Sequence, residues 1–347
     1  MKLVEFVPPE PHPLWKLCLQ MGITDVIVKV MDHDPEKVVA DLAAAGLRVV
    51  GFEGDMFDMS PIKEYGAKGI RDQGSGIRRE EAIEKYVSYL ELMARHDIRL
   101  LCYNFMVGTG WSRTGVREVR GGAKATYFSL REGEKLKVEK LKGSSTFQPF
   151  NLSTLKLSKS QIWTNYEYFI KAVMPTAERL GIRMGLHPDD PCLPSLGGYA
   201  RIFGSVEAYD RAYALYPSES NAVTFCQANF KLMSSFAKAA EDKGATQWLI
   251  DTARHFGKRI AFIHVRDVEG TKEDFTELFH DQGTTDQFAL MRTYRELGLD
   301  VPVRGDHVPE MEGDRRITAD CIPGYFTLGR LFANGYLKAL LKGTDNA

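Results

Sequence analysis

Short apolar runs rich in β-branched residues recur along the chain at 2–7, 24–30, 47–53, 98–105, 182–187, 221–227, 259–265 and 300–306. Most are followed by a loop and then a stretch of helical period, as at 35–45, 80–96, 159–180 and 246–256. Runs that stay apolar almost throughout, instead of alternating, suit strands buried on both faces, and intervening helices suit parallel crossovers. Eight such units predict an α/β chain folded over 1–347 as one domain, a single (β/α)8 TIM barrel. In LSKSQIWTN, Ser158 or Ser160 supplies the N-cap of the helix that follows.

One stretch breaks the rhythm. Residues 112–158 are polar, rich in Gly, Lys, Arg and Glu, and include KLKVEKLKG. They fall between the fourth and fifth strands and are read as a long inserted loop over the barrel mouth. Two roles suit such an insert, a solvated excursion or a lid over substrate.

Composition narrows the function class. With 44% hydrophobic residues the chain can fill a large core, and a formal charge of −1 supplies no basic field for nucleic acid or a membrane surface. Five cysteines, widely spaced and without CxxC, argue against a disulfide scaffold. The opening MKLVEFVPPEPHPLW lacks the apolar core of a secretion signal, and no run approaches the ~18 apolar residues of a membrane span. The expectation is a soluble cytoplasmic protein acting on a small molecule. A homo-oligomer built through the outer helices is compatible with the pattern.

Parallel α/β folds keep their chemistry at the carboxyl ends of the strands. The last four runs end in His187, Cys226, His264 and Asp306. Two imidazoles, a thiolate and a carboxylate converging there make a divalent transition-metal site, with Zn²⁺, Fe²⁺ and Mn²⁺ all compatible. Asp189, Asp190 and Asp267 are candidates to orient the imidazoles. His307 follows Asp306 and can serve as an acid or base beside the metal, and Tyr325 lies shortly beyond. Glu53, Asn104 and Trp111 also stand at or just past strand ends. Arg113, Arg201, Arg266 and Arg304 are candidates to clamp a substrate carboxylate. Neither a P-loop nor a serine nucleophile elbow occurs.

Several segments resemble the D-mannonate dehydratase family. They are CYNFM with WSR within 102–113, IWTNYEYFIKAVMPTAERLGIRMGLHPDDP at 162–191, FGS at 203–205, TFCQ at 224–227, HVRDV at 264–268, RGDH at 304–307 and PGYFTLGRL at 323–331. The resemblance implies a xylose-isomerase-like barrel carrying Mn²⁺ (or Fe²⁺) on His187, Cys226, His264 and Asp306. It also implies that His307 and Tyr325 are catalytic alongside Asp306. By their placement and chemistry, Asn104, Trp111, Arg113, Arg201 and Arg266 are the substrate-binding candidates. The activity it implies is loss of water from D-mannonate, giving 2-keto-3-deoxy-D-gluconate, in hexuronate breakdown. Alternatives are dehydration of another aldonate, or isomerisation or epimerisation of a sugar or sugar acid. Cys192, Ala228 and Gly305 depart from the family's usual residues, near the expected pocket but outside its ligands.

Overall fold

The first apolar run is interrupted at Val4, and the two pieces pair with different neighbours. Lys2–Leu3 lies parallel to Pro302–Gly305, while Glu5–Val7 lies parallel to Asp25–Val28. From there the parallel sheet runs through Arg48–Glu53, Leu100–Tyr103, Arg183–Leu186, Asn221–Cys226 and Ile260–Val265 back to Pro302–Gly305. The ring is thus closed by the split first strand, and every one of the eight predicted runs supplies a barrel strand. The computed structural model describes residues 1–64, 78–135, 157–234, 243–319 and 321–345.

The strand sequences explain the burial. Asn221–Cys226 and Ile260–Val265 are buried at every position, as required when helices cover the outside and side chains fill the inside. Val4, Ile27, Leu100, Cys102, Ala222 and Phe262 form an apolar cluster separate from the large core under the helices. Drawn from several strands of the ring, it plugs the barrel interior and leaves polar chemistry to the strand ends.

The crossover helices begin where the sequence places caps. Asp34 accepts the amides of Glu36 and Lys37 ahead of Pro35–Ala44. Ser158 and Gln161 form a reciprocal capping box at the start of Lys159–Arg179, as the N-cap expectation required. Among the described residues no helix is long and apolar enough to cross a membrane.

The insert between the fourth and fifth strands is more than a loop. Gly115–Glu118 and Lys124–Ser129 form antiparallel strands. The second of them pairs with Asp274–Glu277, which pairs in turn with Val268–Thr271 beyond the seventh barrel strand. Lys124 and Glu310 exchange backbone hydrogen bonds of 3.0 and 2.7 Å, tying this sheet to the segment just past Asp306 and His307. The alternation in GVRE and KATYFS carried the signal, masked by charged and glycine neighbours. The remainder of the expected loop, 136–156, lies outside the described residues.

Candidate metal centre

Four neighbouring strands deliver the four expected ligands to one point. His187 directly follows Arg183–Leu186, Cys226 ends its strand, His264 is the penultimate residue of Ile260–Val265, and Asp306 follows Pro302–Gly305. Cys226 and His264 are register partners, so adjacent strands place them side by side. The ligand atoms of all four lie within 4.8 Å of one another.

The local chemistry suits a cation. His264 is fully buried, and neither ring nitrogen has a hydrogen-bond partner. Its Nδ1 is 3.6 Å from Asp306 and its Nε2 is 3.6 Å from Glu53, both beyond hydrogen-bond reach. Asp306 Oδ1 lies 3.0 Å from Arg304 Nη2, but not in hydrogen-bond geometry. Unpaired buried polar atoms are costly unless something binds them. Burial pushes the Cys226 thiol up, yet the neighbouring His187 and His264 imidazoles and the Arg266 charge outweigh it and bring its pKa down to about 6. A cysteine sulfur, two imidazoles and a carboxylate thus face one another, a donor set that fits a divalent transition metal. The Pro188 carbonyl lies 2.8 Å from His187 Nδ1 and accepts its hydrogen, which leaves Nε2 to face the centre.

His307 stands next to the ligands with a backbone φ of 46°, a left-handed conformation unusual for a non-glycine residue. Its Nε2 lies 3.6 Å from Asp306 Oδ1. Its Nε2 is 3.1 Å from the Tyr325 hydroxyl and its Nδ1 is 3.0 Å from Glu277 Oε1. Burial raises the Tyr325 pKa, so that hydroxyl keeps its proton at neutral pH. Trp111 packs over His307 with ring centroids 5.0 Å apart, and its indole N–H is buried without a partner.

Glu53, Asn104, Trp111, His187, Asp306, His307 and Tyr325 line a cavity of about 110 Å³. A second cavity of about 640 Å³, bordered by Lys29, Asp55 and Lys63, shares Gly54, Asn104, Met106 and Trp111 with the first. Asn104 Oδ1 accepts from Lys63 Nζ at 3.2 Å and from the Met106 amide at 3.1 Å. Both donors fix the amide's orientation and turn its NH₂ toward the cavity, where it can meet a substrate oxygen.

Each candidate arginine has partners within the protein. Arg113 and Arg266 are 7% and 1% exposed and are shared between two buried carboxylates. Arg113 meets Asp190 at 2.7 and 3.0 Å. Arg266 donates to Glu277 at 2.6 Å twice and to Asp190 at 2.8 Å. Arg201 Nη2 donates to the Thr109 hydroxyl and to the Thr109 and Gly110 carbonyls, and Nη1 lies 3.7 Å from Asp189. Arg304 holds Glu53 at 2.6 and 3.1 Å. Arg113, Arg266 and Arg304 thus have protein acceptors at hydrogen-bond distance, whereas Arg201 Nε and Nη1 are buried without a hydrogen-bond partner. The three aspartates differ from expectation: Asp189 accepts the Phe203 amide, Asp190 pairs with the arginines, and Asp267 binds Lys231 and two backbone amides. None makes a hydrogen bond to a ligand imidazole.

Sequence reasoning missed Glu277, Asn229 and Lys63. Asn229 Oδ1 accepts both the Cys226 thiol at 2.9 Å and Arg266 Nη1 at 2.8 Å, three residues past the Cys on the helix Gln227–Met233. Glu277 lies in the strand Asp274–Glu277, whose partner Lys124–Ser129 is remote in sequence.

A parallel α/β barrel with a mixed nitrogen, sulfur and oxygen donor set at its strand ends, and a paired histidine and tyrosine beside it, defines a metal-dependent barrel enzyme. The chain belongs to the D-mannonate dehydratase (UxuA) family, whose model matches residues 20–347. It is 28% identical over 286 residues to a mannonate dehydratase of Streptococcus agalactiae, covering 77% of each chain. It is 30% identical over 298 residues to that of Lachnoclostridium phytofermentans, covering 77% of this chain and 78% of the relative. For Brachyspira hyodysenteriae the match is 27% over 338 residues, 90% and 87% of the two chains. The mannonate dehydratase structure from Streptococcus suis serotype 2 superposes with a TM-score of 0.78 at 23% identity, covering 100% of this chain and 95% of that one. An L-ribulose 3-epimerase superposes over 100% of this chain and 96% of its own with a TM-score of 0.56 at 11% identity. These superpositions establish the fold.

Proposed function

We propose that this hydro-lyase removes water from D-mannonate to give 2-keto-3-deoxy-D-gluconate, using Mn²⁺ (or Fe²⁺) held by His187, Cys226, His264 and Asp306. The observation that carries the reading is the joint placement of these four ligands and the His307–Tyr325 pair around one cavity, in a chain of the mannonate dehydratase family. Bound there, the ion supplies electrostatic stabilisation for charge developing on the substrate oxygens when the proton next to the carboxylate is removed.

The chain's own groups do the proton work. One of His307 and Tyr325 takes the C2 proton and the other protonates the departing C3 hydroxyl, and the 3.1 Å contact between them returns the proton after turnover. The Asn104 amide donates to a substrate oxygen, and Trp111 closes over the reacting carbons. The Arg113, Arg266, Asp190 and Glu277 cluster keeps water from the rear wall. Acting on a sugar acid of central catabolism, the enzyme is assigned to the cytoplasm.

Chelation tests the metal requirement. Turnover of D-mannonate is expected to vanish after treatment with a chelator and to return with Mn²⁺. Full activity in protein shown by elemental analysis to be metal-free would overturn it.

A further inference from the structure

The antiparallel sheet beside the barrel mouth delivers one side chain to the active centre. Glu277 ends the strand Asp274–Glu277, which is held in register by Asp274 against Ser129, Phe275 against Phe128 and Thr276 against Tyr127. Its side chain is 1% exposed, and its Oε1 lies 3.0 Å from His307 Nδ1. The carboxylate is otherwise saturated by guanidinium groups. Oε1 accepts from Arg266 Nη2 at 2.6 Å and from Arg113 Nη2 at 2.5 Å, and Oε2 accepts from Arg266 Nε at 2.6 Å. Asp190 bridges the same two arginines from the other side.

Two cations and two anions make this lattice neutral, so it imposes no net charge on His307. Burial alone would raise the Glu277 carboxyl, but Arg266 and Arg113 outweigh it and bring it to about 2. An ionised carboxylate only accepts hydrogen bonds, so the imidazole nitrogen facing it carries the hydrogen. One contact opposes this: Arg113 Nη2 is 3.4 Å from the same nitrogen and would favour a bare Nδ1. The carboxylate contact is shorter, and that guanidinium nitrogen already donates to Glu277, so the carboxylate decides the tautomer.

We propose that Glu277 is a positioning residue that holds His307 in its Nδ1–H tautomer, leaving the Nε2 lone pair toward Tyr325 and the substrate. The inference rests on the dehydration reading for its kinetic consequence but not for the tautomer itself. With Nε2 bare, His307 starts as the base and Tyr325 as the acid. The C2–H bond breaks with its proton passing to Nε2, and the Tyr325 proton joins the C3 hydroxyl as that C–O bond breaks and water leaves. Nε2–H then reprotonates the tyrosine oxygen, and the enol tautomerises to the ketone. The sheet built from 115–129 and 268–277 is then the support of the base.

Two measurements test this. In Zn²⁺-loaded wild-type protein labelled with ¹⁵N-histidine, long-range proton–nitrogen correlation is expected to show His307 with hydrogen on Nδ1, its signals assigned by their absence in His307→Asn. Hydrogen on Nε2 alone would overturn the proposal. In the Mn²⁺-loaded Glu277→Gln variant, kcat on D-mannonate is expected to fall about 100-fold with KM and metal stoichiometry held. In Glu277→Ala, added formate is expected to restore part of the rate, a rescue that a purely structural role would not give. A folded, metal-loaded Glu277→Gln protein with kcat within about threefold of wild type would also overturn it. If Glu277→Gln fails to fold, or if wild-type protein leaves mannonate untouched, the tautomer measurement still decides the proposal, and the second outcome separately refutes the dehydration reading.

Discussion

Arg266→Met removes a cation that two buried carboxylates share. The side chain is 1% exposed and makes three hydrogen bonds of 2.6–2.8 Å to Asp190 and Glu277 and a fourth of 2.8 Å to Asn229. Removing one member of a buried ion pair costs about 3–5 kcal/mol, because the partner charge stays behind without compensation. Arg113 still contacts both carboxylates at 2.5–3.0 Å, which places the expected cost near the lower limit. Spread over the unfolding entropy of a chain this long, about 3 kcal/mol corresponds to a fall in Tm of about 4 °C. Scanning calorimetry of metal-saturated protein reads this directly. Screening barely reaches buried charges, so the drop is expected to persist at high salt. Adding Asp190→Asn to the variant removes one stranded charge and is expected to recover part of the loss. A single variant melting within about 1 °C of wild type would refute the reasoning, since the lattice would then contribute nothing that methionine packing does not replace.

Other expectations follow from the same geometry. Asp306→Asn replaces the proposed ligand carboxylate by a neutral amide and is expected to weaken Mn²⁺ binding by more than about 100-fold, read by calorimetric titration. His307→Asn, chosen because asparagine tolerates the positive φ at this position, is expected to keep its metal while kcat falls about 10²–10⁴-fold. Tyr325→Phe is expected to behave alike; loss of metal in either variant would show a structural role instead. Acid is expected to unfold the protein steeply. Burial raises Glu53 and Glu277, but Arg304 and Arg266 respectively outweigh it, and each pKa falls from 4.5 to about 2. Groups depressed in the folded state stabilise it fully above pH 4.5 and lose that contribution as pH falls toward about 2, a window that circular dichroism against pH would reveal.

The barrel was legible because its strands are apolar on both faces, a pattern that polar loops cannot imitate. Position at strand ends also marked His187, Cys226, His264 and Asp306, since parallel strands carry successive carboxyl ends to one rim. The insert was not legible as a sheet, because its strands complete their pairing with 274–277, far along the chain. The arginines show a different limit. A guanidinium that grips a substrate and one that grips Asp190 read alike in sequence, and only the placement of Asp190 and Glu277 separates them. Gly305 gains an explanation from packing: a Cβ there would meet His280 Nε2 at 3.1 Å and Ala333 at 3.2 Å, so the residue before Asp306 must be small for the last helix to approach.

The most direct test of the central claim is to incubate Mn²⁺-loaded protein with D-mannonate and weigh the product by mass spectrometry. Dehydration predicts a product lighter by one water, absent when His307 is replaced by asparagine. A product of unchanged mass, such as an epimer or isomer, would contradict the account, and so would an untouched substrate in protein carrying one metal ion per chain.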